Sequence, residues 1–247
     1  MTISIITATY NSAITIRDTL KSVSNQDYND VQHIIIDGLS KDNTLSIVRD
    51  FPHVNSVISE KDNGIYDAMN KGIARVTGDI VGILNSDDFY FDNKVLSRVA
   101  NVFQTTGCDA LYGDLLYVDQ VDTDKVIRYW KSGHYRPGAF KWGWMPPHPT
   151  FFVRRELYEK WGCFDLRLKT SADYELMLRF IHKHQIRLEY IPTLLVKMRM
   201  GGVSNISVSN RLKANAEDKL AWSINNLRPF WFTLYLKPLK KLTQFIK

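Results

Sequence analysis

Cysteine is almost absent: Cys108 and Cys163 are the only two in 247 residues. That excludes a disulfide framework and a cysteine-based metal knuckle, and it makes reduced thiols in a cytosolic setting the default. No run reaches the roughly 18 apolar residues that a simple membrane-spanning helix needs. The N-terminus, MTISIITATYN, has neither a basic leader region nor a long apolar stretch, so it reads as a first strand and not as a signal peptide. The first strand-to-helix turn lacks G-x-G-x-x-G, which argues against a dinucleotide-dependent dehydrogenase. Internal repeats, low-complexity tracts and convincing linkers are also missing.

Acidic residues are missing after Asp218, while Arg228, Lys237, Lys240, Lys241 and Lys247 follow it. The same stretch carries Trp222, Phe230, Trp231, Phe232, Tyr235 and Phe245. A basic, aromatic tail suits an anionic membrane surface. The plain alternative is a helix packed on the core with its lysines in water. A nucleic-acid partner is not expected, because that reading rests on the tail and the net charge of +6 alone.

What is present is an ordinary globular composition, 45% hydrophobic and 23% charged, enough for one substantial core. The first half alternates between apolar runs (ISIITATY, VQHIIIDG, SVISE, DIVGIL) and amphipathic segments (AITIRDTLKSV, KDNTLSIVRDF, GIYDAMNKGI). That alternation predicts right-handed βαβ units and a mostly parallel, Rossmann-like sheet flanked by helices. Further on, NKVLSRVANVFQTTG predicts a helix that Gly107 ends. DALYGDLLYVD and KVIRYW predict antiparallel strands, GHYRPGAFKWGWMPPHPTFFVRR a site-shaping loop, and ELYEKWG and DYELMLRFIHKH helices. The expected organisation is one domain over residues 1–215 and a helical tail over 216–247.

In a parallel α/β sheet, ligands bind beyond the carboxyl ends of the strands. Here those ends are Thr7-Ala8-Thr9-Tyr10-Asn11, Asp37-Gly38, Glu60-Lys61-Asp62 and Asn85-Ser86-Asp87-Asp88. One acidic strand end is usually a turn or a helix cap. Three acidic ends on one edge repel unless they share a cation or a cationic ligand group.

TATYN, IIIDGLSKDNT, EKDNGIYDAMNKGI, GDIVGILNSDD and ADYELMLR, in this order, resemble the family-2 glycosyltransferases of the GT-A fold. The resemblance runs from Ile3 to about Ser204. It implies transfer of a sugar, with inversion, from a nucleotide-diphosphate donor to an acceptor hydroxyl. It also implies a nucleotide-binding half over residues 1–90 and an acceptor half over 91–215. On the donor side it implies Thr7, Ala8 and Tyr10 at the nucleoside, Asp37 at the base ring (uracil by this match), and Lys61, Asp62, Asn70 and Lys71 facing the donor. LNSDD matches the family's metal motif. It implies Asp88 as ligand to a divalent cation, Mn²⁺ or Mg²⁺, with Asn85 and Asp87 beside it. Asp173 matches the general base, although Ala172 stands where relatives usually carry Glu. His148, Gly201 and Gly202 match acceptor-side or closing segments. The QxxRW signature of processive synthases is absent, which implies single-sugar transfer.

The acceptor expected from the tail is a saccharide carried on a lipid, met peripherally at the cytoplasmic face of the membrane. Rivals are a nucleotidyltransferase, although TATYNSA is not the Gly- and Lys/Arg-rich loop that a triphosphate needs, and a peripheral protein that binds nucleotide-sugar without turnover.

Overall fold

A computed structural model describes residues 1–201 and 208–242. Its first half is the expected alternation. Strand β1 (Ile3–Thr9) is buried at all seven positions, as a central strand covered on both faces must be. It lies parallel to β2 (Val31–Asp37) on one side and to β4 (Ile80–Ile83) on the other, and β3 (Val54–Ser59) continues beyond β2. Helix α1 (Ile16–Ser24) buries Ile16, Thr19, Leu20 and Val23, one stripe at helical spacing. Helix α2 (Thr44–Arg49) is short. Helix α3 (Ile65–Ile73) presses Ala68, Met69, Gly72 and Ile73 inward. It approaches β1 so closely that a Cβ on Gly72 would lie 2.4 Å from Ile6 Cγ2.

The second half completes one mixed sheet. Its elements are β5 (Phe89–Tyr90), α4 (Val95–Thr106), β6 (Ala110–Val118), β7 (Val126–Trp130), β8 (Phe152–Arg154), α5 (Arg155–Trp161), α6 (Ala172–Met177), β9 (Leu188–Arg199), α7 (Val208–Ile224) and α8 (Thr233–Leu242). The strand order is β3-β2-β1-β4-β8-β6-β9-β5, with β7 paired to β6. The two longest registers, β1 with β2 and β6 with β9, are parallel. The β4–β8, β6–β8, β6–β7 and β5–β9 pairs are antiparallel. Gly107 ends α4 in the left-handed region at φ 63°, as expected of a C-terminal glycine.

Two details depart from the sequence reading. The segment 152–154, expected within a loop, is the strand that joins the two halves of the sheet. The boundary expected at 215/216 falls inside α7, whose Ala221 and Trp222 are fully buried in the main core. Trp222 Nε1 donates to Tyr174 Oη at 2.9 Å, and Asn225 Nδ2 donates to Glu175 Oε1 at 2.8 Å. The first part of the tail is therefore packed structure, driven inward by its own tryptophan. Among the described residues, no helix is long and apolar enough to cross a membrane.

Candidate active site

The turn after β4 is not the solvated loop that two adjacent aspartates would ordinarily make. Asp88 is fully buried. Its N–H donates to Asn85 O at 3.1 Å, closing a tight turn, and Thr19 Oγ1 from α1 donates to Asp88 O at 2.7 Å. Asn85 Nδ2 donates to Asp88 Oδ2 at 3.0 Å. Asp88 Oδ1 and Asn85 Oδ1 are buried without a hydrogen-bond partner among the described residues. Nor does either aspartate cap α4, which is preceded by Lys94. Burial, and then the Asp87 charge, push the Asp88 carboxyl well above the ordinary carboxylate range, with the Asn85 hydrogen bond offsetting part of this. Burial also raises Asp87, against the opposing charge of Arg199.

Arg199, at the end of β9, donates from Nη1 to Asp87 O at 2.7 Å and pairs with Asp18. Ser86 and Ser12 hydroxyls meet at 2.8 Å, tying the acidic turn to the loop after β1. An acidic turn held from three elements, with bare inward-facing oxygens, fits a hard cation. Magnesium-like ions need only one or two carboxylates, completing their shell with water and ligand phosphate. No group of three His, Cys, Asp or Glu side chains suited to a metal occurs among the described residues, so a closed all-protein cage is not what this turn offers.

Beyond the ends of β1, β2 and β3 lies a second cluster. Asp37 Oδ2 accepts from Ser59 Oγ at 2.6 Å and from the Ser40 N–H at 3.1 Å, while Oδ1 is buried with no hydrogen-bond partner among the described residues. A Cβ on Gly38 would lie 2.4 Å from Asp62 Oδ2 and 3.4 Å from the Tyr10 ring, so these three residues meet and glycine leaves room between them. Asp62 Oδ1 accepts the Gly64 N–H at 2.9 Å, fixing the turn into α3.

Other expected donor residues are not free. Thr7 and Ala8 are buried, and the Thr7 hydroxyl hydrogen-bonds His33 Nε2 at 3.1 Å. Asn70 clamps Phe164, donating to its O and accepting from its N–H, both at 2.9 Å. Lys71 Nζ pairs with Glu60 at 2.9 Å and donates to Lys61 O at 2.6 Å, so the Lys61 carbonyl is engaged too. These contacts hold the fold: Thr7 joins β1 to β2, and Asn70 joins α3 to the segment before α6.

Asp173 sits in the first turn of α6, where Tyr66 Oη donates to its Oδ1 at 2.9 Å. Beside it is His148, buried and edge-on to Phe164 at 5.5 Å between ring centroids. Burial depresses the His148 imidazole, and the Asp173 charge opposes this. Glu217 of α7 fixes the turn before α6: its Oε2 accepts from Thr170 N at 2.7 Å, Thr170 Oγ1 at 2.9 Å and Ser171 N at 3.0 Å. Tyr117 of β6 is buried between its strand neighbours. Burial raises its phenol, Arg128 opposes, and the charges of Asp88 and Asp173 both act on it.

Gly201 follows β9 at φ 110°, a conformation that favours glycine. Gly202 lies outside the described residues. Sequence reasoning missed Glu217 and Arg199, whose roles arise from contacts between elements distant in the chain. Tyr66 was legible only as part of an inward helix face.

Comparison with known proteins agrees with this architecture. The family described as Glycosyl transferase family 2 matches residues 4–162. A PGL/p-HBAD biosynthesis glycosyltransferase of Mycobacterium bovis is 28% identical over 222 residues, covering 83% of this chain and 80% of that protein. An uncharacterized glycosyltransferase of Mycobacterium tuberculosis is 31% identical over 189 residues, covering 72% and 68%. Among solved structures, TarS 1–349 of S. aureus in complex with UDP-GlcNAc superposes with TM-score 0.72 at 19% identity, covering all of this chain and 72% of that one. The mannosyltransferase PcManGT of Pyrobaculum calidifontis, with GDP-Man and Mn²⁺, gives 0.67 at 20% identity, covering 95% and 68%.

Proposed function

Because the chain belongs to glycosyl transferase family 2 and is a glycosyltransferase by that membership, we propose that its cleft transfers one sugar, with inversion, from a nucleotide-diphosphate sugar to a saccharide hydroxyl. The acceptor class is a lipid-linked saccharide of surface polysaccharide assembly, met on the cytoplasmic side. Residues 1–90 hold the donor and 91–215 the acceptor. The observation that carries the reading is the buried acidic turn at Asp88, with a second, differently held acid at Asp173. Asp88 is buried with a bare oxygen, and Asp173 is half-buried with one oxygen held.

Asp88, assisted by Asp87 and Asn85, would hold a divalent cation, Mn²⁺ or Mg²⁺. Bound there, the cation supplies charge neutralisation for a departing diphosphate. The Mn²⁺ and GDP-Man in PcManGT support that choice. Asp37 offers its bare Oδ1 to a base N–H, which suits uracil, and UDP-GlcNAc in TarS supports this donor class. Tyr10 and Gly38 border the base slot, and Asp62 borders the ribose side. Asp173 takes the proton of the acceptor hydroxyl. Tyr66 fixes Oδ1 so that Oδ2 presents to the acceptor, with buried His148 lining the acceptor side.

The test is a thermal shift with UDP, GDP, dTDP and CMP, each with and without Mn²⁺, on the wild type and Asp88→Asn. A ligand that binds only the folded state raises its melting temperature. The expected result is a metal-dependent rise with UDP that Asp88→Asn abolishes. No rise with any nucleotide overturns the donor assignment. Turnover that survives Asp173→Asn removes the base.

A further inference from the structure

The aromatic residues after Asp218 do not share one fate. Trp222 is buried in the core, but Trp231 is 85% exposed, Tyr235 68% and Phe230 42%. They are joined by Trp142, 54% exposed, from the turn Ala139–Trp142 in the body of the domain. The rings touch: Trp142 lies 5.9 Å from Phe230 and 5.3 Å from Phe232, and Trp231 lies 5.5 Å from Phe232. A contiguous exposed aromatic cluster is a recognition surface more often than an accident.

The cluster is built onto the fold. Thr233 Oγ1 donates to Lys141 O at 2.6 Å, binding the start of α8 to the turn. Gly143, at φ 73°, lets α8 approach so closely that a Cβ there would lie 2.6 Å from Lys237 N. Lys237 Nζ pairs with buried Asp218 at 2.7 Å and rests 3.8 Å above the Tyr174 ring, next in the chain to Asp173.

Its charge has one sign. Neither 139–143 nor 219–237 contains an acidic residue. Lys141 Nζ sits 5.4 Å over the Phe230 ring, and exposed Lys219 and Arg228 border a groove shared with Leu227 and Pro229. Aromatic rings rimmed by Lys and Arg match the headgroup layer of an anionic bilayer, where indole and phenol rings sit at the interface and basic groups meet lipid phosphates. A single-stranded nucleic acid would need open ring faces for its bases. Here Phe230 is flanked by Trp142, Phe232 and Lys141.

We propose that the turn 139–143 and the segment 228–237 together form a docking face for an anionic phospholipid bilayer, with Trp142 and Trp231 as its interfacial anchors. This goes beyond the reading of the cleft and does not rest on it.

The test is co-sedimentation of the full chain with phosphatidylcholine vesicles holding roughly one-third phosphatidylglycerol, repeated with bromine-labelled lipid tails. Partition at low salt should fall at least about tenfold on pure phosphatidylcholine or at high salt. Trp142→Phe with Trp231→Phe should leave partition within about twofold but remove most of the bromolipid quenching of tryptophan fluorescence. Trp231→Ser with Tyr235→Ser should weaken partition roughly tenfold. No partition of the wild type at low salt overturns the proposal, as does quenching that persists in the double Phe variant. Vesicle-free self-association that the Ser pair abolishes also overturns it, and assigns the face to a second copy of the chain.

Discussion

Tyr66 and Asp173 lie 107 residues apart in the chain and are joined by a 2.9 Å hydrogen bond in the fold. The phenol donates and the carboxylate accepts, so α3 orients the acid at the start of α6. Asp173→Asn should lower kcat by about 10²–10⁴-fold, the span of a general base. Tyr66→Phe removes only the orienting bond and should cost about tenfold in kcat, with donor KM unchanged. Steady-state kinetics on both variants check this. A Tyr66→Phe effect confined to donor KM would place the tyrosine in binding.

The proposed cation role of Asp88 carries a cost for the ligand-free fold. A buried carboxylate beside another, with a bare oxygen, contributes nothing favourable until a cation arrives. Asp88→Asn keeps the shape and the acceptor for Asn85. It should leave the metal-free melting temperature unchanged or raised by roughly 2–4 °C, about 1 kcal/mol for a chain of this size. Calorimetry without metal measures this, and a fall of several degrees would make Asp88 a structural residue.

Glu217 accepts three hydrogen bonds from Thr170 and Ser171, immediately before Asp173. Glu217→Ala strips partners from two backbone donors and should destabilise the fold by about 1–3 kcal/mol. Glu217→Gln keeps an accepting oxygen and should recover most of that loss. Denaturant unfolding of both variants decides it, with equal losses in the two showing that charge, not hydrogen bonding, holds the turn.

The strand–helix alternation was legible because each element there buries a face at its own period: Ile16, Leu20 and Val23 at helical spacing, and β1 as an unbroken apolar run. The acidic strand ends followed from topology, since parallel strands deliver their carboxyl ends to one edge. Short β8 was illegible because three residues between Pro-rich and helical segments carry no period, and only pairing with β4 and β6 makes them a strand. The bond between Thr7 and His33 was illegible because it pairs neighbouring strands 26 positions apart in the chain. Glu217 and Arg199 owe their roles to contacts across 46 and 112 positions of chain, which no local pattern encodes.

His33 shows what Thr7 does. The imidazole is fully buried between the Thr7 hydroxyl and His53, each 3.1 Å away, and its backbone N–H donates to Asn55 Oδ1 at 2.7 Å. Burial first, and then the His53 ring, depress its pKa from 6.5 to about 3. The folded protein therefore refuses a proton that the unfolded chain accepts. The stability due to neutral His33 is complete above pH 6.5 and is lost as pH falls from 6.5 towards 3. The slope reaches about 1.4 kcal/mol per pH unit, so roughly 2 kcal/mol disappears by about pH 5. Melting temperatures of the wild type should fall by roughly 4–8 °C between about pH 7 and pH 5. His33→Gln, whose amide can still meet Thr7, should start less stable and show a flatter profile. Parallel profiles for the two proteins would mean that the acid sensitivity belongs to other groups.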